Sequence, residues 1–130
     1  MWNYKLIGRY LLPYDVGMSG SWKLQSGQQY GRTIQVAFPG DGTRTVRVEP
    51  VTANRYPNVS ILDVRFDKSF RFGKAGKITG MVDMFNLTNS GTVTAFRLTT
   101  AGAGAYPTLY REVTGLLDPR IIRFGVRYSF

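Results

Sequence analysis

Hydrophobic and polar residues alternate with a period of two in five separate stretches of the chain. These stretches are residues 4–12, 16–25, 59–70, 77–87 and 120–130. A period of two is typical of a β-strand with one apolar and one polar face, because successive side chains point to opposite faces. The alternation is most regular in VSILDVRFDKSF, where Leu62, Val64 and Phe66 share the apolar face. The sequence therefore predicts five amphipathic strands.

Short turns join some of these strands, and long segments join the others. A Pro-Tyr-Asp turn separates the first two strands, and the glycines of residues 71–76 permit the positive φ that hairpin turns use. Both pairs are therefore predicted to be β-hairpins. Residues 26–58 and 88–118 are long, polar and rich in Gly, Thr, Ser, Asn and Pro. We expect them to be loops, in which residues 33–38 and 44–51 extend the strands.

Composition favours the same class of structure and excludes several kinds of chemistry. The chain has 130 residues, of which 43% are hydrophobic and 14% aromatic, and its 15 glycines suit short strands and turns better than packed helices. It has no Cys and no His, which excludes a disulfide framework, zinc-finger spacing, a thiol nucleophile and a Ser-His-Asp triad. We therefore expect an all-β protein with no metal site and no cofactor.

Aspartates are the remaining candidates for catalysis. Asp63 and Asp67 are four residues apart on one predicted strand, which is about 13 Å at roughly 3.3 Å per residue. Paired carboxylates of glycosidases lie roughly 5 to 9.5 Å apart, although a cross-strand partner such as Asp83 could come closer. The glycines form no phosphate-binding loop. We therefore expect no enzymatic activity.

Most charged residues of the predicted strands fall on one face. This set is Lys5, Arg9, Lys23, Asp63, Arg65, Asp67, Asp83, Arg123 and Arg127. Two interpretations remain open, the solvated face of a soluble one-sided sheet and the lumen-facing side of a membrane barrel. The net charge of +9 with interleaved aromatic residues suits a soluble basic β-domain that binds single-stranded nucleic acid. However, the basic residues are spread along the chain, and no nucleic-acid motif accompanies them.

The connections and the placement of charge favour the barrel. No stretch approaches the roughly 18 apolar residues of a transmembrane helix, and no signal peptide is evident, but a barrel strand needs only about 9 to 11 residues. Outer-membrane barrels have short turns on the periplasmic side and long loops outside. In that orientation Lys68 and Arg120, the charges on the apolar faces, lie near a rim. The aromatic residues expected at the periplasmic rim are Tyr14, Phe70, Tyr128 and Phe130.

The last strand ends in alternating apolar and aromatic residues. They are Ile122, Phe124, Val126, Tyr128 and Phe130. This ending resembles the C-terminal assembly signal of bacterial outer-membrane β-barrels. The larger pattern is similar to the C-terminal end of TonB-dependent receptors, particularly the Oar-like group. The most specific matches are DMFNLTN at residues 83–89 and DPRIIRFGVRYSF at residues 118–130, and the resemblance covers nearly the whole chain.

The resemblance implies an antiparallel meander of about five strands that forms the C-terminal part of a barrel in the bacterial outer membrane. Its implied partners are outer-membrane lipid, the barrel-assembly machinery, the remainder of the barrel, a plug domain and, through that plug, TonB. Large outer-membrane transporters have about 22 strands and a plugged lumen, so five strands are a fragment of one. The implied role is to form barrel wall and extracellular loops for uptake of a scarce solute, with no nucleic-acid partner.

Aromatic residues of the two long loops are candidates for ligand contact. They are Tyr30, Tyr56, Phe96, Tyr106 and Tyr110. Such rings can stack on sugars or siderophores, but packing between the loops is the more economical interpretation. No residue identifies the solute.

Overall fold

The computed structural model describes residues 1–73, 76–100 and 110–130. These residues form an all-β protein with twelve strands, which confirms the predicted class. The strands are β1 (Asn3–Leu12), β2 (Val16–Gln25), β3 (Gln29–Tyr30), β4 (Thr33–Phe38), β5 (Gly42–Arg47), β6 (Asn54–Arg55), β7 (Val59–Arg71), β8 (Lys77–Phe85), β9 (Val93–Phe96), β10 (Thr99–Thr100), β11 (Val113–Leu116) and β12 (Ile121–Ser129). Within the described residues, we find no helix with the length and apolar character of a membrane span.

The largest sheet is an antiparallel meander in the order β1-β2-β7-β8-β12. Its five strands correspond to the five predicted from the period-two alternation. The clearest difference lies at β8, which was expected to continue to residue 87 but ends at Phe85. The next residue, Asn86, has a φ of 48°, and this left-handed conformation interrupts the extended backbone.

The two long connections, which were expected to be loops, contain the seven remaining strands, and these lie outside the five-stranded meander. The expectation that residues 33–38 and 44–51 extend the strands of the large sheet is wrong. β4 and β5 instead form a hairpin with each other, in which Gly40 and Gly42 adopt positive φ values of 83° and 80°. Such conformations favour glycine, because it has no Cβ. β4 also pairs in parallel with β10, while β3 pairs with β6 and β9 with β11.

The chain forms two compact units. We call the first the loop unit, made of residues 1, 26–58 and 91–117, and the second the sheet unit, made of residues 2–25, 59–90 and 118–130. In the loop unit, Tyr30 is only 3% exposed and is the one buried hydrophobic side chain in the described part of the chain. The core of the loop unit is therefore small and centred on an aromatic ring.

The sheet unit has one predominantly apolar face, which we call the apolar face. One row of directly paired residues crosses all five strands on this face, and it consists of Tyr10, Met18, Phe66, Val82 and Phe124. Tyr10 is 68% exposed and Phe124 is 77% exposed. The sheet unit therefore presents apolar side chains outward rather than packing them into a core.

Candidate functional site

The register places all the charged candidate residues on the opposite side of the sheet unit, which we call the polar face. Arg9 pairs with Ser19, Ser19 with Arg65, Arg65 with Asp83, and Asp83 with Arg123, so one row crosses five strands. The remaining members, Lys5, Lys23, Asp63, Asp67 and Arg127, lie an even number of residues from this row on their own strands and therefore share its face. That this face lines a lumen stays a prediction.

Three of these residues form a cluster that we call the arginine clasp. Arg65 Nη2 donates to Asp83 Oδ2 at 3.0 Å, and Arg65 Nε donates to Asp83 Oδ1. From the other side, Arg123 Nη2 and Nε donate to Asp83 Oδ2 at 2.7 and 3.1 Å. The Asp83 side chain is 9% exposed, while both guanidinium groups remain substantially exposed. A single carboxylate therefore ties β7, β8 and β12 together through charge-assisted hydrogen bonds.

The other candidates on the polar face have different surroundings. Asp63 Oδ1 accepts a hydrogen bond from the backbone N–H of Asn86 at 2.9 Å, so this carboxylate holds a turn. Lys23 lies directly opposite Lys5, and like charges in a cross-strand pair repel each other. Asp67 lies against Gly17, where a Cβ would come within 2.5 Å of Asp67 Oδ1. Within the described residues, no single network of contacts therefore joins all the candidates.

The sequence did not predict the turn around Asn86. This residue is 5% exposed, and its Nδ2 donates to the carbonyl oxygens of Ser90 and Asp118 at 3.0 and 2.7 Å. Its Oδ1 accepts from the backbone N–H of Ser90 at 2.9 Å. Asn89, with a φ of 51°, accepts a hydrogen bond from the backbone N–H of Arg120 at 3.0 Å. Asparagine tolerates the left-handed region, so the two asparagines of FNLTN were the available signal.

The five residues of the proposed assembly signal project from one face of the edge strand β12 and the residue after it. All five are exposed, and they are Ile122, Phe124, Val126, Tyr128 and Phe130. The rings of Tyr128 and Phe130 lie 5.9 Å apart. β12 is hydrogen-bonded only to β8 in the described residues, so its other edge is open. Recognition of these residues by an assembly machinery stays a prediction.

Aromatic residues of the loop unit pack against each other. The ring centroids of Tyr30 and Tyr56 are 4.6 Å apart, and those of Tyr56 and Phe96 are 5.2 Å apart. The Tyr56 hydroxyl also accepts a hydrogen bond from the backbone N–H of Phe96 at 3.1 Å. The predicted packing between loops is confirmed for these three residues. Tyr106 lies outside the described residues.

Tyr110 occupies a separate polar cluster of the loop unit. Its hydroxyl lies 3.5 Å from Glu49 Oε2, which also accepts hydrogen bonds from the backbone N–H of Arg32 and from Asn54 Nδ2. The Arg32 guanidinium lies 5.5 Å from the centroid of the Tyr110 ring. Burial raises the pKa of the Tyr110 phenol, and the negative charge of Glu49 raises it further. Glu49 therefore organises this part of the unit.

Two of the three aspartates considered as catalytic candidates serve structural contacts. Asp83 accepts hydrogen bonds from two arginines, and Asp63 accepts one from the backbone N–H of Asn86. In the ranges that the structure describes, no three His, Cys, Asp or Glu side chains are arranged to hold a metal ion. Comparisons with protein-family models, curated proteins and solved structures give no match to this chain.

Proposed function

We propose that this chain forms part of the wall of a bacterial outer-membrane β-barrel of the TonB-dependent receptor type and that its long connections contribute extracellular loops. In this role it contributes to the uptake of a scarce solute. The observation that carries the proposal is the sheet unit, whose apolar face is exposed while its polar face carries the arginine clasp. A barrel wall in lipid requires this division between the two faces.

The exposed apolar side chains support a lipid environment. Leu6, Tyr10, Phe124 and Val126 are each between 67% and 77% exposed, and they belong to both edge strands of the sheet. Monomeric soluble proteins rarely expose such a continuous apolar surface. Each Å² of this surface that leaves water stabilises the protein by about 25 cal/mol. Lipid contact therefore removes the main energetic cost of this arrangement.

Strand length and the position of Lys68 on this face also support the proposal. β1 and β2 have 10 residues each, and β8 and β12 have 9 each. These lengths match the roughly 9 to 11 residues that a transmembrane β-strand needs. Lys68 lies on the apolar face near the short turns, with its Nζ 5.2 Å from the Phe70 ring centroid. A lysine near the interface costs roughly 0 to 1 kcal/mol, against about 2 to 4 kcal/mol at the midplane.

The two edges of the sheet identify the implied partner. In the described residues β1 pairs only with β2 and β12 only with β8, so each edge strand has unpaired backbone groups. Unpaired backbone groups are costly in a bilayer, because lipid offers them no hydrogen bonds. We propose that further barrel strands cover both edges and that β12, with its exposed apolar residues, is the strand that the assembly machinery binds.

Vesicle flotation tests this proposal on the full chain. The chain is diluted from denaturant into vesicles of phosphatidylethanolamine and phosphatidylglycerol, and we expect it to float with the lipid and to resist carbonate extraction. Phe124→Arg places a cation on the apolar face and should reduce flotation several-fold. Gly125→Arg is the matched control, because it adds the same charge one residue away on the opposite face, where a Cβ meets nothing closer than 3.7 Å.

Two outcomes contradict the proposal. The first is a chain that stays monodisperse without lipid or detergent and binds single-stranded DNA with a steep salt dependence. That behaviour belongs to a soluble basic β-domain. The second is equal flotation of Phe124→Arg and Gly125→Arg, which would show that the apolar face does not contact the bilayer.

A further inference from the structure

The half of the polar face near the short turns contains an open cleft of about 320 Å³. Its walls include the basic residues Arg9, Arg65, Lys77 and Arg127, which come from β1, β7, β8 and β12. Among the described residues, Asp67 is the one carboxylate that lines it. Because antiparallel pairing brings these strands together, residues far apart in the chain form one basic surface.

Most of this positive charge has no ionic partner. Arg65 belongs to the arginine clasp and is compensated by Asp83. In contrast, Arg9, Lys77 and Arg127 form no ion pair with any described carboxylate. Three such cations against the single carboxylate of Asp67 leave an excess of two positive charges around the cleft.

The acidic side chain of Asp67 and the hydroxyl groups of Ser69 and Thr79 belong to different parts of the cleft. The Asp67 carboxylate lies against Gly17 of β2, whereas Arg127 lies two strands beyond Asp67, on β12. Next to Arg127, the hydroxyl oxygens of Ser69 and Thr79 lie 3.0 Å apart. One register row contains Ser69, Thr79 and Arg127, so two residues with hydroxyl groups and an arginine are paired on neighbouring strands. This combination of donors suits a phosphate or carboxylate group.

The spacing of the cations favours a ligand with more than one anionic group. Neighbouring strands lie about 4.8 Å apart, so the backbones of β1 and β12 are separated by about 19 Å across the sheet. Cations that project from backbones spread over this width offer positions for more than one anionic group. A ligand with two or three anionic groups can contact Arg127 or Lys77 with one group and Arg9 or Arg65 with another.

We propose that this cleft binds a small anion with two or more phosphate or carboxylate groups. The site lies entirely on the polar face, so it does not depend on what covers the apolar face. It therefore goes beyond the function proposed above, and either proposal can fail without the other. The guanidinium groups supply planar paired donors, and Lys77 supplies a point charge, so together they provide both orientation and attraction.

Isothermal titration calorimetry tests the site on the full chain, folded in detergent micelles. The two probes are inorganic tripolyphosphate and citrate, which separate phosphate from carboxylate recognition. We expect saturable binding of at least one probe, weakened by added salt. Arg127→Gln should weaken it about ten-fold, because a hydrogen bond to a charged group is lost. Lys77→Gln provides a second variant, and circular dichroism verifies that both variants fold.

Lys23→Gln is the matched control, since it removes a cation from the same face but outside the cleft. We expect its affinity for both probes to equal that of the unmodified chain. Binding of one probe alone supports the site and identifies its chemistry, and binding of both supports general recognition of polyanions. Absence of saturable binding overturns the proposal. Equal weakening by Lys23→Gln and Arg127→Gln also overturns it, because diffuse charge would then explain the attraction.

Discussion

Replacing Asn86 tests whether the turn after β8 holds the sheet unit together. Its side chain makes three hydrogen bonds of 2.7 to 3.0 Å, to the backbone of Ser90 and Asp118. The contact with Asp118 connects the end of β8 to the segment that leads into β12. Asn86→Ala removes these bonds and places a residue with a Cβ but no polar group at a φ of 48°.

The structure gives the expected size of the effect. A net contribution of about 1 kcal/mol for each of three hydrogen bonds gives about 3 kcal/mol. The left-handed backbone adds roughly 1 to 2 kcal/mol for a residue other than glycine or asparagine. We therefore expect Asn86→Ala to lower the free energy of unfolding by about 4 kcal/mol. Asn86→Gly removes the same bonds without the conformational cost, so it should lose about 1 kcal/mol less.

Urea unfolding of the full chain in detergent micelles measures these differences through the fluorescence of Trp2 and Trp22. The third variant, Asn86→Asp, keeps an acceptor for the Ser90 N–H but removes the amide donor and places a negative charge near two carbonyl oxygens. We expect it to be at least as unstable as Asn86→Gly. The reasoning is refuted if Asn86→Gly changes the unfolding midpoint no more than Thr88→Ala, which removes only the 3.5 Å hydrogen bond from Thr88 Oγ1 to Asn86 Oδ1.

Two further predictions concern charged and titratable groups. Asp83→Asn leaves Arg65 and Arg123 facing each other without a carboxylate. The variant should therefore unfold at a lower urea concentration than Arg123→Gln, and its unfolding midpoint should rise partly when added salt screens the repulsion. Equal unfolding midpoints for the two variants would contradict this. In the absorbance titration of the tyrosines, the Tyr110 phenol should ionise above the usual range, because burial and Glu49 raise its pKa. Tyr110→Phe should remove that late transition, and its persistence would assign the transition to another tyrosine.

The five large strands could be predicted because their signal is local. Alternation in a single segment such as β7 or β12 indicates both the strand and its two faces, without knowledge of the partner strand. The same reasoning failed for β4 and β5, whose extended conformation was expected but whose partners were not. β4 pairs with β10, about 65 residues further along the chain, and no local pattern specifies a parallel contact across that separation.

Local sequence patterns were also insufficient to predict the contacts of the candidate site. The charged residues were assigned correctly to one face, because that assignment follows from parity along each strand. The arginine clasp depends in addition on the register between three strands, which places Arg65 and Arg123 on either side of Asp83. A shift of one residue in either pairing would move one arginine to the other face. The sequence therefore predicted the members of the polar face but not their contacts.

The strand directions constrain what can complete the sheet unit. Four successive antiparallel pairings separate β1 from β12, so these two edge strands run in the same direction. A ring of identical copies would join β12 of one copy to β1 of the next as parallel neighbours, whereas outer-membrane barrels are antiparallel throughout. Antiparallel closure instead requires an odd number of additional strands, and a barrel of about 22 strands leaves about 17. A second copy supplies five strands, which is also an odd number, and could pair β12 with β12 and β1 with β1 in antiparallel fashion. That pairing would place the long connections of the two copies at opposite ends of the barrel, whereas outer-membrane barrels have their long loops on one side. Strand direction and the position of the long connections together favour the remainder of a longer barrel over a second copy as the partner of this sheet.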